Sequence, residues 1–184
     1  MNATTRWDWS LLRTSVGDGS ELPGLVARLH SDDAEVRRDA FRTTYARVAN
    51  QRDLRSGAAA VVDLLLTRLE GGGRLFGDAW FLLNEIYLGS APGEQVVVDE
   101  ERVGVEDYVR ARVLSSSPHI RRAFAAAAPE ELEDMQFLLM AMAGDSREVV
   151  EWVEQEAAAA AGERAEFLAG LVPEVREAWE ERDG

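Results

Sequence analysis

The sequence lacks cysteine and lysine altogether and contains only two histidines, His30 and His119, among its 184 residues. Without cysteine the chain cannot form disulfides, use a catalytic thiolate or bind zinc through sulfur. It also lacks the glycine-rich phosphate-binding motifs and the GxSxG nucleophile elbow. The two histidines lie in separate parts of the chain, so we expect surface histidines. We therefore predict no catalytic residue, no metal site and no cofactor.

Long apolar runs are also missing. The stretches FLLMAMA (137–143) and VVDLLL (61–66) are much shorter than the roughly 20 residues that cross a bilayer. The first residues, MNATTRWDWSLLRTSVGDG, contain no apolar core of a secretory signal. The sequence therefore predicts a cytoplasmic protein that has no membrane partner.

Negative charge is concentrated toward the end of the chain. Residues 129–184 hold 16 acidic residues and 4 arginines, whereas residues 1–90 hold 12 acidic residues and 11 arginines. An acidic surface repels the phosphates of nucleic acid and speeds the encounter with a basic protein. We therefore expect a basic protein or peptide partner and consider nucleic acid unlikely, although high solubility alone also explains acidity.

The chain repeats itself. Residues 27–38 read ARLHSDDAEVRR and residues 111–122 read ARVLSSSPHIRR. An apolar stripe in the first copy predicts one helix, and a second stripe, after the turn SDDAE, predicts another. In that turn Asp32 is the predicted N-cap with Glu35 three residues later, and Asp33 is expected to pair with Arg37 on the helix surface. The stripes consist of Leu22, Leu25, Val26 and Leu29, then Val36, Ala40, Phe41, Thr44, Tyr45 and Val48.

The same two-helix unit returns along the chain. A shift of 40 residues places Leu25 on Leu65 and Leu29 on Leu69. A shift of 84 residues gives the third copy, and a looser fourth copy comprises PEELEDMQFLLMAMA and SREVVEWVEQEAAAAAG. Short helices are predicted before the repeats, near Trp7–Arg13, and after them, in GERAEFLAG and PEVREAWEERD. A period near 40 residues with two helices per unit is typical of an α-solenoid.

The pattern LPxLxxxLxSDDxxVRRxA at 22–40 resembles a HEAT repeat, and NQRDLRSGAAAVVDLLLTRL resembles small bacterial HEAT-like proteins of undefined role. The resemblance implies an all-α, armadillo-like fold: a right-handed superhelix of about four helix pairs with short capping helices. It implies one domain over 1–184, with a regular front (1–90), an insertion loop (89–104) and an acidic back (105–184). In HEAT repeats the turn acid and the following arginine are structural, and this assigns Asp33 and Arg37, beside the cap Asp32, to the frame.

The loop GSAPGEQVVVDEERVG, residues 89–104, interrupts the repeats. Loops of this length are often functional, but a solvated insertion without a role explains it equally well. Val96–Val98 are expected to be extended.

The predicted function is that of a protein- or peptide-binding scaffold. A solenoid presents a concave face built from the second helix of each pair. Three roles stay open: toxin neutralisation, peptide presentation to an enzyme, and organisation of a complex. The alternative is an enzyme that uses the same groove, such as a HEAT-like DNA glycosylase, which the charge balance disfavours. The predicted contact residues, with the tyrosines and tryptophan as anchors if exposed, are Arg42, Tyr45, Asn84, Glu85, Tyr87, Arg121, Arg122, Glu148, Glu151, Trp152 and Gln155.

Overall fold

The protein is mostly helical, as the sequence predicts. The structure is a computed structural model and describes residues 6–183. Helices account for 69% of the chain, and nine of them have both ends within the described residues. The chain divides between Ser116 and Ser117 into two compact units, which we call unit 1 and unit 2. The single domain expected over 1–184 stays a prediction.

Unit 1 contains five helices and two hairpins within its described part. The helices are α1 (Leu22–Arg28), α2 (Ala34–Val48), α3 (Gly57–Glu70), α4 (Gly77–Tyr87) and α5 (Val105–Ser115). A 3-10 turn, Asn50–Arg52, follows α2. The hairpins pair β1 (Arg13–Thr14) with β2 (Gly17–Asp18), and β3 (Gln95–Val98) with β4 (Glu101–Gly104).

The four helices of the first two predicted pairs are all present in unit 1. The first helices contact each other, α1 against α3, and so do the second helices, α2 against α4. Helix α5 packs against α3 and α4. Helix α3 is central because its apolar side chains are buried nearly all round, from Ala58 to Val62 and again at Leu65, Leu66 and Leu69.

The turn between α1 and α2 differs in detail from the prediction. The cap of α2 is Asp33, not Asp32: Asp33 Oδ1 accepts the backbone N–H of Glu35 at 2.8 Å and of Val36 at 3.4 Å. Asp33 has the extended backbone that an N-cap requires, which explains the correction. Arg37 does not pair with Asp33 and instead donates to the carbonyl oxygens of Ser31 and Asp32, at 2.8 and 3.0 Å.

The predicted helix near Trp7–Arg13 is wrong. Residues 9–11 form a turn in which Asp8 Oδ1 accepts the backbone N–H and the hydroxyl of Ser10, and Arg13 begins β1. Short Asp and Ser side chains compete in this way with helical hydrogen bonds. The indole of Trp7 is buried and bonded to Asp63, so tertiary contacts fix the segment in a non-helical form.

The loop 89–104 contains the β3–β4 hairpin, which confirms the extended Val96–Val98. The two-residue turn, Asp99 and Glu100, has φ of 51° and 72°. Positive φ at both positions matches the twist of paired strands. Val96 is buried at 3% exposure while Val97 points outward at 62%.

Unit 2 consists of α6 (Ser117–Ala126), α7 (Pro129–Asp145), α8 (Arg147–Ala159) and α9 (Glu163–Asp183). Helices α7 and α8 form in the stretches where the sequence predicts the two helices of the fourth copy. The two short terminal helices are instead one helix, α9, which continues through Pro173. Packing holds both halves, because Leu168 and Leu171 before the proline and Val175 after it are buried. Helix α9 packs along both α7 and α8.

Candidate functional site: the aromatic face of α2 and α4

Two large apolar side chains of α4 and its C-cap are exposed to solvent: Phe81 at 46% and Leu88 at 41%. They are seven residues apart, which places them about 20° apart around the helix. The neighbouring helix α2 adds Phe41, whose ring meets Phe81 edge-on at 5.7 Å, and Tyr45, stacked on Phe41 at 5.8 Å. We call these four residues the aromatic face.

A buried carboxylate lies between the two exposed apolar residues of α4. Glu85 is only 8% exposed, and its partner is Arg52, which donates from Nη2 at 3.0 Å and from Nε at 3.4 Å. The Arg52 side chain itself is 51% exposed. The hydrogen bond to Glu85 raises the pKa of Arg52 above its ordinary value, although burial opposes this, and the charge of Glu85 adds to the rise.

Arg52 projects from a strained turn. Gln51 and Arg52 both have left-handed backbone conformations, with φ of 54° and 61°. Such conformations cost non-glycine residues about 1 kcal/mol or more each and persist where the surroundings hold them. Here the N–H of Gln51 donates to the hydroxyl of Tyr45 at 3.2 Å, and the N–H of Ser90 donates to the carbonyl of Arg52 at 2.8 Å. These hydrogen bonds hold the backbone of Arg52 near Tyr45 and Glu85 and leave its side chain half exposed.

The predicted contact residues of unit 1 differ in their exposure to solvent. Arg42 is exposed and has no ion-pair partner within residues 6–183, and Tyr45 belongs to the aromatic face. Asn84 is only 5% exposed, and its Oδ1 accepts no hydrogen bond from the described residues. Tyr87 is 2% exposed, so it does not meet the condition set for an aromatic anchor.

In unit 2 three of the predicted residues come together. Arg121 Nη1 donates to Glu148 Oε1 at 2.9 Å, and the guanidinium lies 5.5 Å from the centre of the Trp152 ring. Trp152 in turn meets buried Phe124 edge-on at 5.6 Å. Trp152 is therefore packed between an arginine and the interior and is only partly exposed.

The glutamates of α8 are largely ion-paired. Glu151 pairs with Arg147 at 2.9 Å, while Arg122 and Gln155 are exposed and have no partner in the part of the chain described. The unpaired acids of unit 2 lie mainly on one side of α9, where five exposed glutamates have no ion pair with any described residue: Glu163, Glu166, Glu174, Glu177 and Glu181.

A second polar cluster, deeper in unit 1, surrounds Asp63 of α3. The carboxylate is 2% exposed and accepts from Trp7 Nε1 at 2.9 Å, Tyr108 Oη at 2.7 Å and Arg112 Nε at 2.7 Å. Arg112 also donates to both carboxylate oxygens of Glu70, at 2.6 and 3.0 Å.

The Asp63 cluster is a structural junction. Burial and the bond to Asp63 raise the pKa of Tyr108, so it stays a neutral donor. Burial opposes the charge of Arg112, but its bonds to Glu70 and Asp63 outweigh that effect and raise its pKa. Three donors satisfy the carboxylate, which ties the N-terminal segment and α5 to α3.

The residues that sequence reasoning missed are Phe41, Arg52, Phe81 and Leu88. Phe81 and Leu88 are apolar like their neighbours in α4, so the sequence does not show that these two are the exposed ones. Arg52 had no signal, because two consecutive left-handed residues without glycine have no sequence pattern.

Within the described residues, no group of three or more histidine, aspartate or glutamate side chains is arranged to hold a metal ion. Among the helices described, none is both long and apolar enough to cross a membrane. No protein-family model, curated protein or solved structure matches the chain.

Proposed function

We propose that the protein is a protein- or peptide-binding scaffold whose recognition surface is the aromatic face of unit 1. The observation that carries this proposal is the exposure of Phe81 and Leu88 beside the stacked rings of Phe41 and Tyr45. Exposed apolar side chains that form one patch mark interaction surfaces, and aromatic residues supply much of the binding energy at such surfaces.

The scaffold proposed is a right-handed solenoid of about four HEAT-like pairs. Its support in unit 1 is the stacking of α1 on α3 and of α2 on α4. The repeated arginine adds support in both units. Arg37 lies 4.3 Å from the Phe76 ring of the next pair, and Arg121 lies over Trp152 of the pair after its own. An arginine that stacks on the following pair is expected from a repeat.

We further propose that the partner is basic and that the protein acts in the cytoplasm. The exposed glutamates of α9 make no ion pair with described residues, so their charge is available to attract a cation. A field of this kind mainly raises the rate of encounter, and salt weakens it. The contacts that hold the partner are assigned to the aromatic face.

Affinity capture from a lysate of the source cells tests the proposal. The bait proteins are the wild type, the double variant Phe81→Ser/Leu88→Ser and the control Phe137→Ser. Phe137 is 50% exposed and lies in unit 2, so its replacement removes a comparable exposed ring from another surface. We expect the same basic protein with wild type and control, released as salt rises, and its loss with the double variant.

Capture of the same protein by the double variant would overturn the assignment of the surface. Nucleic acid in the low-salt eluate, without any protein, would replace the scaffold with a nucleic-acid function. Thermal unfolding of all three baits checks that they are folded. Replacing these two half-exposed apolar side chains, with loss of the contact between Phe41 and Phe81, is expected to lower the free energy of unfolding by about 1–2 kcal/mol, which leaves the variant folded.

A further inference from the structure

Two buried polar side chains of α4, Asn84 and Glu85, flank Phe81 and offer hydrogen-bond acceptors. Around the axis of α4, Asn84 lies about 60° to one side of Phe81 and Glu85 about 40° to the other side. Along the axis, both lie between Phe81 and Leu88. Both are more than nine-tenths buried, and both present an acceptor: the unpartnered Oδ1 of Asn84 and the carboxylate of Glu85. A group that binds there must donate hydrogen bonds.

The only cation that contacts Glu85 among the described residues is Arg52, which is easily moved. Half of its side chain is exposed, so its guanidinium can turn into water with little loss of solvation. The exposed position also makes the pair less stable than a fully buried one. By contrast, Glu85 cannot do without a partner, because an unpaired buried carboxylate is costly.

From this geometry we propose that Glu85 binds one basic side chain, arginine or lysine, of the bound peptide, and that Arg52 holds the same carboxylate in the free protein. The inference rests on the proposed function and names the chemistry that the aromatic face selects. Exchange of one cation for another keeps Glu85 compensated in both states. The apolar stem of the incoming side chain would pack on Phe81 and Leu88, and its charge would face aromatic rings.

Arg52 therefore competes with the peptide for Glu85. Substitutions of Arg52 and of Glu85 should have opposite effects on the affinity for a basic peptide. Removing Arg52 frees the carboxylate and should strengthen the binding of a basic peptide. Removing the charge of Glu85 should weaken it. If Arg52 instead bound an acidic group of the peptide directly, removing Arg52 would weaken the binding.

The test uses a phage-displayed library of random twelve-residue peptides, selected on the wild-type protein. The peptides recovered are then synthesised, and their dissociation constants are measured for wild type, Arg52→Gln, Glu85→Gln, Phe81→Ser and the control Arg55→Gln. Arg55 pairs with Asp53 at 2.6 Å and lies 3.7 Å from Glu94, so its loss changes the net charge nearby without touching Glu85.

We expect peptides with one arginine or lysine beside an apolar residue. The expected affinity rises three- to tenfold for Arg52→Gln, falls at least tenfold for Glu85→Gln and is nearly unchanged for Arg55→Gln. Replacing the basic residue by norleucine should abolish the difference between wild type and Arg52→Gln. If Glu85→Gln does not fold, the Arg52 and norleucine measurements carry the test.

Two results would overturn the inference but leave the proposed function intact: selected peptides rich in acidic residues that lose affinity with Arg52→Gln, or Phe81-dependent peptides that bind both variants like wild type. Peptides that bind Phe81→Ser unchanged use another surface and overturn the inference together with the proposed function.

Discussion

The two units use the same kind of helix but bury different chemistry. Among the described residues, both buried carboxylates, Asp63 and Glu85, lie in unit 1, where arginines reach them. In the described part of unit 2 the carboxylates are at most partly buried, as in Asp145, which is 13% exposed and pairs with Arg182, and the interior consists of apolar side chains such as Phe124 and Leu139. The packing differs too, since unit 1 stacks like helices in layers while α9 of unit 2 packs along two helices. A repeat in the sequence therefore determines where helices form more closely than it determines which side chains are buried between them.

The largest effect is expected from Asp63→Ala in unit 1. The substitution leaves the donors of Trp7, Tyr108 and Arg112 without their acceptor, which should lower the free energy of unfolding by about 4 kcal/mol. Chemical denaturation followed by circular dichroism measures the loss.

The matched control in unit 2 is Glu154→Ala, which breaks a partly exposed pair with Arg176 and should cost about 1 kcal/mol or less. Equal losses for the two substitutions would contradict the contrast between a buried and a surface carboxylate.

The interior of unit 2 should respond to loss of volume instead. Phe124 is fully buried against Trp152 and Phe167, so Phe124→Ala is expected to cost about 3 kcal/mol in the free energy of unfolding. Phe137→Ala removes a half-exposed ring of the same unit and should stay within about 0.5 kcal/mol of wild type. A small effect at Phe124 would show that this interior is not closely packed.

His30 is not the surface residue that the sequence predicts, because its Nδ1 is buried without a hydrogen-bond partner among the described residues, and this gives unit 1 a dependence on pH. Burial, with the nearby charge of Arg68 adding to it, lowers the pKa of His30 to about 4 in the folded state, against about 6.5 when unfolded. Between these values only the unfolded chain binds the proton, so stability falls as pH drops, by about 1.4 kcal/mol per unit.

Denaturation at pH 7, 6 and 5 measures this slope, and His30→Gln isolates it from the carboxylates. The variant should lose less stability over that range than wild type does. Identical slopes would show that His30 does not titrate in this way.

The paired arginines of the first repeat, Arg37 and Arg38, are expected to differ in how much they stabilise the folded state. Arg37 makes two hydrogen bonds to carbonyl oxygens and stacks on Phe76, and Arg37→Ala should cost about 1–2 kcal/mol. Within residues 6–183 Arg38 makes only an exposed pair with Glu35, so Arg38→Ala should cost about 0.5 kcal/mol or less. Thermal unfolding of both variants measures the difference, and a larger loss for Arg38→Ala would remove the structural role of the repeated arginine.

The sequence determined the helices well because apolar periodicity reports burial directly. The stripes through Leu25, Ala40 and Leu65 predicted α1, α2 and α3 at nearly the observed bounds. Local chemistry was less certain, since Asp32 and Asp33 are both good caps and only backbone conformation chose Asp33.

The candidate site was harder to predict. Exposed Phe81 and buried Leu82 look alike in sequence, and only the packing of α2 against α4 separates them. Glu85 was named from its position in the second helix, but its partner Arg52 comes from a turn whose left-handed conformation depends on Tyr45 and Ser90. Contacts between residues 33 positions apart leave no local pattern.

The most direct test compares Arg37→Ala with Phe81→Ala in the same two assays, thermal unfolding and binding of the captured partner at a temperature where both variants are folded. We expect the two effects to separate: Arg37→Ala lowers the melting temperature and keeps the affinity, whereas Phe81→Ala keeps the melting temperature and loses the affinity. Loss of affinity with Arg37→Ala at an unchanged melting temperature would contradict the structural role of the repeated arginine. Full affinity of Phe81→Ala would contradict the assignment of binding to the aromatic face.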